Sequence, residues 1–255
     1  MNRSTRPMQV QERTPINIIA AWMVHALTAS GALFGLLAMQ AVCEKRFVAA
    51  CAWMMVTSGI DGVDGALARW RRVKYFIPHF DGALLDNMVD YFTFVLVPAF
   101  FLLYADLLAP SWRLPLAGIL LFASAYQFSR DDAKTADHTF TGFPSYWNVA
   151  VFYLFLMDWG YAANAVILLI CAAGVFVRIR YLYPSRTRFL RPINIGLGMA
   201  WAGLCIAALA RYPEGHQPLL YASFFYLVYY LAVSLWLTTR KQPALSGRPD
   251  ETPSP

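Results

Sequence analysis

Residues 61–90 carry four aspartates in the pattern DGVDGALAR…GALLDNMVD. Asp61 and Asp64 are three apart, and Asp86 and Asp90 are four apart. On helices, both spacings put each pair on one face. The flanking stretches, FVAACAWMMVTSGI and YFTFVLVPAFFLLY, read as membrane helices. A carboxylate in hydrocarbon costs kilocalories, so its default meaning is a functional site. Four carboxylates at one level repel and raise one another's pKa. One divalent cation, or two, resolves that repulsion, and hard carboxylate oxygens suit Mg²⁺ or Mn²⁺.

Small residues accompany the acids. Gly65 and Ala68 each lie four after Asp61 and Asp64, and Gly82 lies four before Asp86. They clear bulk from the acidic face and leave room for a ligand, although small residues at this spacing also serve helix packing. Three readings of the cluster stay open on these residues: a metal-dependent enzyme, a transporter's proton or cation relay, and structural pairing with Arg69, Arg71 and Arg72. A transporter places its acids nearer the midplane, with broken helices and internal repeats. No repeat is evident here, and structural pairing rarely needs four regularly spaced carboxylates. The metal-dependent enzyme fits best.

The elements that must position these residues are apolar. Of 255 residues, 58% are hydrophobic and 14% charged; the mean hydropathy is +0.45. A soluble domain has about a quarter of its residues charged. At about 20 apolar residues per span, eight candidates appear: 18–41, 47–69, 82–104, 114–130, 144–158, 162–182, 192–210 and 218–239. The fold class expected is an all-α integral membrane bundle of about eight transmembrane helices. Its parts are an N-terminal cytoplasmic segment (1–17), a transmembrane catalytic domain (18–239) and a disordered cytoplasmic tail (240–255). No cleavable signal peptide is visible in residues 1–15. Cys43, Cys51, Cys171 and Cys205 read as small apolar residues with no disulfide framework.

With the N-terminus in the cytoplasm, seventeen of the 21 Lys and Arg residues fall on that side and four on the other. That bias sets the orientation. It also explains the net charge of +6 as topology signals and lipid-phosphate contacts, with no nucleic-acid partner. A role for one or two arginines of RIRYLYPSRTRFLR (178–191) in holding a substrate phosphate stays open. Taking Arg69 as interfacial, Asp64 and Asp61 lie about 8 and 12 Å deeper, at ~1.5 Å per residue. Counting in from Asp81 gives similar depths for Asp86 and Asp90. All four meet inside the cytoplasmic leaflet.

The pattern D-x₂-D-G-x₂-A-R, a spacer, then G-x₃-D-x₃-D resembles the signature of the CDP-alcohol phosphotransferases. It is carried by Asp61, Asp64, Gly65, Ala68, Arg69, Gly82, Asp86 and Asp90. HALTASG in the first span supplies Thr28, where the family has a threonine, and His25, where many relatives have asparagine. The spacer from Arg69 to Gly82 has twelve residues, longer than in most of the family. This spacer, the eight spans, KTADHTFTGFPSYWN and RPINIGLG are similar to a bacterial, choline-using branch.

The resemblance implies transfer of the phosphatidyl group of CDP-diacylglycerol to choline, with CMP released. It implies two ions, Mn²⁺ or Mg²⁺, on Asp61, Asp64 and Asp86, with Asp90 a ligand of the second ion or the base. It implies CDP-diacylglycerol contacts at Thr28, Gly65, Ala68, Arg69 and Gly82. The setting is the bacterial inner membrane with the site facing the cytoplasm. Homodimers are usual in the family, although no residue here marks a dimer face. Serine, glycerol 3-phosphate or inositol phosphate are the alternative acceptors, and the arginines at 178–191 suit the phosphorylated ones. A quaternary ammonium is usually held by aromatic faces with a carboxylate nearby. The candidates are Tyr126, Phe140, Tyr146, Trp147, Tyr181 and Tyr183, with Asp131, Asp132 and Asp137 in the same region.

Overall fold

The computed structural model describes residues 14–132, 139–183 and 190–239. The N-terminal stretch, the tail, Lys134, Asp137, Arg186 and Arg188 lie outside the described residues.

Helix α1 (Pro15–Cys43) opens with proline in its first turn, where a missing N–H costs nothing. Helix α2 (Phe47–Trp70) lies along α1 and carries Asp61 and Asp64. It stops as Arg72 takes a left-handed φ of 50°, and a single turn, α3 (Val73–Phe76), follows. Val73, Phe76 and Ile77 bury themselves against Ala21 and Val24 of α1. The unusually long spacer is therefore a folded cap on α1, not a slack loop.

Helix α4 (Gly82–Asp90) starts at Asp81, whose Oδ1 accepts from the backbone N–H groups of Ala83 and Leu84 at 3.0 Å each. It continues through a π-helical stretch, Tyr91–Leu96, into α5 (Val97–Tyr104). π-Helical turns inside α-helices frequently mark functional sites, and this one begins directly after Asp90. Helices α6 (Pro110–Ser129), α7 (Trp147–Met157) and α8 (Tyr161–Phe176) follow. The chain ends with α9 (Arg191–Ala210) and α10 (Gln217–Thr239).

Helices occur at all eight expected segments. Among the described residues, four are long and apolar enough to cross a membrane: Pro15–Cys43, Gly82–Tyr104, Arg191–Ala210 and Gln217–Thr239. Trp147–Met157 and Tyr161–Phe176 are apolar but shorter. The segment 162–182 is not one helix. It leaves the helix after Phe176 and forms strand β2 (Arg180–Leu182), antiparallel to β1 (Thr139–Thr141). The reason is legible in VRIRYLY (177–183), where branched or aromatic residues alternate with arginine at the strand period. Among the described residues, an otherwise helical bundle thus contains one two-stranded sheet. Main-chain groups of β2 receive hydroxyl partners from α10: Leu182 N–H donates to Ser234 Oγ (3.1 Å) and Arg180 N–H to Thr238 Oγ1 (2.8 Å).

The core lies among α5, α6 and α7, with Phe101, Leu102, Leu116, Leu120, Trp147 and Leu154 all buried. Elsewhere large apolar side chains face outward, as Phe122 (81% exposed) and Met199 (71%) do. Polar ties link the helices. Trp147 Nε1–H donates to Ser124 Oγ (2.7 Å), and Asn148 Nδ2–H donates to Ser58 Oγ (2.7 Å). Such bonds are typical glue where hydrophobic burial alone does not distinguish helix from lipid.

Helix α1 approaches the π-helical stretch through Gly35. A Cβ there would stand 2.6 Å from Phe92 Cε1 and 3.2 Å from Thr93 Cγ2. Gly35→Leu is expected to push α1 off the segment that follows Asp90. Overpacking of this kind costs about 1–3 kcal/mol. A lowered melting temperature in detergent is the readout, and unchanged melting would show the contact to be yielding.

Candidate functional site

Asp61 from α2 and Asp86 and Asp90 from α4 are half-buried, and each offers a carboxylate oxygen within 4.8 Å of the others. The i,i+4 step on α4 stacks two of them, and α2 brings the third across. Two ligands on opposite sides of a Mg²⁺ at ~2.1 Å stand ~4.2 Å apart, so this donor set fits one hard divalent cation.

Asp64 is not part of that trio. It is buried and turned toward α1, where Thr28 Oγ1–H donates to its Oδ2 at 2.7 Å. A helical step of three rotates the side chain by roughly a sixth of a turn, which is enough to face a different neighbour.

Two cavities open beside the acids. The larger, about 850 Å³, is lined by Thr28, Asp64, Gly65, Ala68, Arg69 and Gly82, with Asp86 at its edge. All five residues expected to contact CDP-diacylglycerol are thus brought together. The folded spacer contributes Arg72, Lys74, His79 and Phe80 to the wall. The smaller cavity, about 210 Å³, holds Asp61, Asp86 and Asp90 together with Phe94, Phe140, Tyr146 and Tyr183. Asp86 lines both, so the two spaces meet at one carboxylate.

The space opposite Gly82 is taken by His25. A Cβ on Gly82 would sit 2.5 Å from His25 Cε1. The imidazole is 8% exposed, packs on Phe80 with ring centroids 4.4 Å apart, and lines the larger cavity. Gly82 therefore clears bulk for the His25 ring.

No family model matches the chain. Curated relatives do. The chain is 39% identical over 226 residues to "Phosphatidylcholine synthase" of Legionella pneumophila, covering 86% of this chain and 89% of the relative. It is 35% identical over 228 residues to "Phosphatidylcholine synthase" of Pseudomonas aeruginosa, covering 89% and 96%. The protein of the same name from Rhizobium meliloti is 36% identical over 202 residues, covering 79% of this chain and 84% of the relative. The chain belongs to the phosphatidylcholine synthase family. The likeness takes in the bundle as a whole, well beyond the acidic signature.

Membership of the phosphatidylcholine synthase family directs attention to the aromatic side chains. Of the residues singled out from sequence, Tyr146 lines the smaller cavity, as do Phe140, Tyr183 and Asp131. The others sit elsewhere. Trp147 is fully buried and bonded to Ser124. Tyr181 is buried and stacked on Tyr230 at 6.1 Å. Tyr126 is 47% exposed, tilted against Phe176 and covered by the Arg130 guanidinium at 5.4 Å. Asp132 holds Arg130 bidentately, at 2.7 and 2.8 Å. Those hydrogen bonds keep the Asp132 carboxyl below its ordinary range.

Phe94 and Gln127 are among the residues lining the smaller cavity that were not singled out. Phe94 lies four after Asp90, so helical spacing alone pointed at it. Gln127 is a buried amide in an apolar helix; its Nε2–H donates to the Thr141 carbonyl at 2.9 Å. An amide in that setting is itself a signal.

Proposed function

We propose that this chain makes phosphatidylcholine by transferring the phosphatidyl group of CDP-diacylglycerol to choline. The observation that carries the reading is the pair of cavities, one rimmed by basic residues and one by aromatics, sharing Asp86. The relatives named phosphatidylcholine synthase support the product.

The cytidine diphosphate of CDP-diacylglycerol occupies the larger cavity, against Thr28, Gly65, Ala68, Arg69 and Gly82, and the acyl chains of the diacylglycerol run into lipid. Arg69, with Arg72 and Lys74 on the rim, offsets pyrophosphate charge. Choline occupies the smaller cavity. Asp61, Asp86 and one oxygen of Asp90 would hold a divalent ion, Mn²⁺ or Mg²⁺, leaving the other Asp90 oxygen free as a base, and Asp64, lining the same cavity as Asp86, would complete the carboxylate set for a second. Bound there, the ions supply charge neutralisation for the pyrophosphate and the leaving group. Asp90 takes the proton from choline's hydroxyl. The choline oxygen bonds to the phosphorus that carries diacylglycerol, the bond from that phosphorus to CMP breaks, and CMP leaves with the electron pair. Thr28 fixes the orientation of Asp64 while this happens.

In this reading the bundle sits in the bacterial inner membrane, and the site faces the cytoplasm, where CDP-diacylglycerol's headgroup and choline are both accessible. Arg130, the one basic side chain lining the smaller cavity among the described residues, is engaged by Asp132. That favours a cationic acceptor over glycerol 3-phosphate. The test is product identity. Purified protein in vesicles containing CDP-diacylglycerol is given labelled choline, and the lipid is extracted. Label in phosphatidylcholine is the expected result. Label appearing only with serine or a phosphorylated alcohol would overturn the choice of acceptor.

A further inference from the structure

The two-stranded sheet has no place in a simple helical bundle, and it stands at the acidic site. β1 carries Phe140, and Tyr183 directly follows β2; both line the smaller cavity. Their rings stack at 4.6 Å with an interplanar angle of 25°. Tyr146 stands nearly perpendicular to Phe140, at 83° and 6.4 Å. Phe94 meets Tyr146 at 6.0 Å and 48°. The rings thus present faces and edges in several orientations around one small space. The sheet is held from outside: Ser234 and Thr238 of α10 bond β2, and Gln127 of α6 bonds the Thr141 carbonyl of β1.

Acidic groups outnumber basic ones in the cavity among the described residues: Asp61, Asp86, Asp90 and Asp131 line it, and its one arginine, Arg130, is tied to Asp132. Rings alone are most often packing, and acids alone are most often solvated or metal-bound. Aromatic faces at several angles beside carboxylates, in a space smaller than the ~300 Å³ at which drug-sized pockets begin, match a small organic cation. A quaternary ammonium donates no classical hydrogen bond and binds through ring faces within about 6 Å of a centroid.

We infer that Phe140 and Tyr183, presented by the β1–β2 sheet, together with Tyr146 at the start of α7, form the cage that holds the acceptor's trimethylammonium group and select for methylated nitrogen. This rests on the reading that choline is the acceptor. The sheet therefore acts as the specificity element, while the helices carry the transfer chemistry.

Tyr183→Leu removes a ring face and leaves a bulky apolar side chain. The expected result is a choline KM raised about tenfold, with the KM for CDP-diacylglycerol and the melting temperature unchanged. Tyr183→Phe keeps the face and stays near the parent. The parent's preference for choline over dimethylethanolamine and ethanolamine flattens in Tyr183→Leu and in Phe140→Leu. An unchanged choline KM in both leucine variants would overturn the cage. So would a rise shared equally with CDP-diacylglycerol, which would signal general disruption. A second measurement does not depend on turnover. Tetramethylammonium, which has the cation and no hydroxyl, is titrated calorimetrically into parent and Tyr146→Leu protein. Binding lost in the variant supports the cage even if no alcohol releases CMP, in which case the reaction reading fails alone. Equal binding by both proteins, or binding by neither, overturns the cage.

Discussion

Asp90→Asn is expected to lower CMP release at saturating choline and saturating Mn²⁺, so that weakened ion binding is offset, by about 10²–10⁴-fold, the range for losing a general base. The carboxamide has nearly the same shape and cannot take a proton from the incoming hydroxyl. Asp90 lies at the end of α4, just before the π-helical stretch, and lines the aromatic cavity and not the basic one. Its loss should therefore spare CDP-diacylglycerol binding. Steady-state kinetics with both substrates varied separate these effects: kcat falls, and the KM for CDP-diacylglycerol moves little. A variant with near-parental kcat would remove Asp90 from the proton transfer.

Asp61→Ala tests the cation site. Asp61 is the only member of the trio that comes from α2; Asp86 and Asp90 both come from α4. Without it the remaining pair lacks its cross-helix ligand, and Mn²⁺ affinity should fall by at least ~100-fold. The readout is thermal. A cation that binds only the folded state raises the melting temperature with its concentration. The parent should gain stability on Mn²⁺ addition, and the variant should not. Without added metal the variant should melt no lower than the parent, because removing one of three crowded carboxylates relieves repulsion. Collapse of the fold with Mn²⁺ binding intact would instead make Asp61 a structural residue.

The acidic trio was legible in the sequence because helical periodicity alone decides which side chains share a face. So was the grouping of Thr28, Gly65, Ala68, Arg69 and Gly82, through the resemblance of their motif to that of the CDP-alcohol phosphotransferases. The orientation of Asp64 was not legible: a sixth of a turn on α2 separates facing α4 from facing α1, and the Thr28 hydroxyl decides it. Nor was the role of Gly82, which depends on a histidine 57 positions earlier. The aromatic wall divided for a similar reason. Tyr146 and Trp147 are adjacent, yet one reaches the cavity and the other is sealed in the core, bonded to Ser124. Sequence placed 162–182 in a span because its mean hydropathy is high. The strand at its end shows only in the alternation of VRIRYLY, and its pairing with β1 is a long-range contact. Membrane crossing by the shorter helices α7 and α8 depends on the bilayer they sit in, which hydropathy does not specify.

The most direct measurement is CMP release from CDP-diacylglycerol by purified protein, with each alcohol supplied in turn and with Mn²⁺ or a chelator present. Release that requires choline, fails with serine and glycerol 3-phosphate, and stops on chelation is the expected result. No CMP with any alcohol, together with cation-driven solute uptake into liposomes, would contradict phosphatidyl transfer altogether.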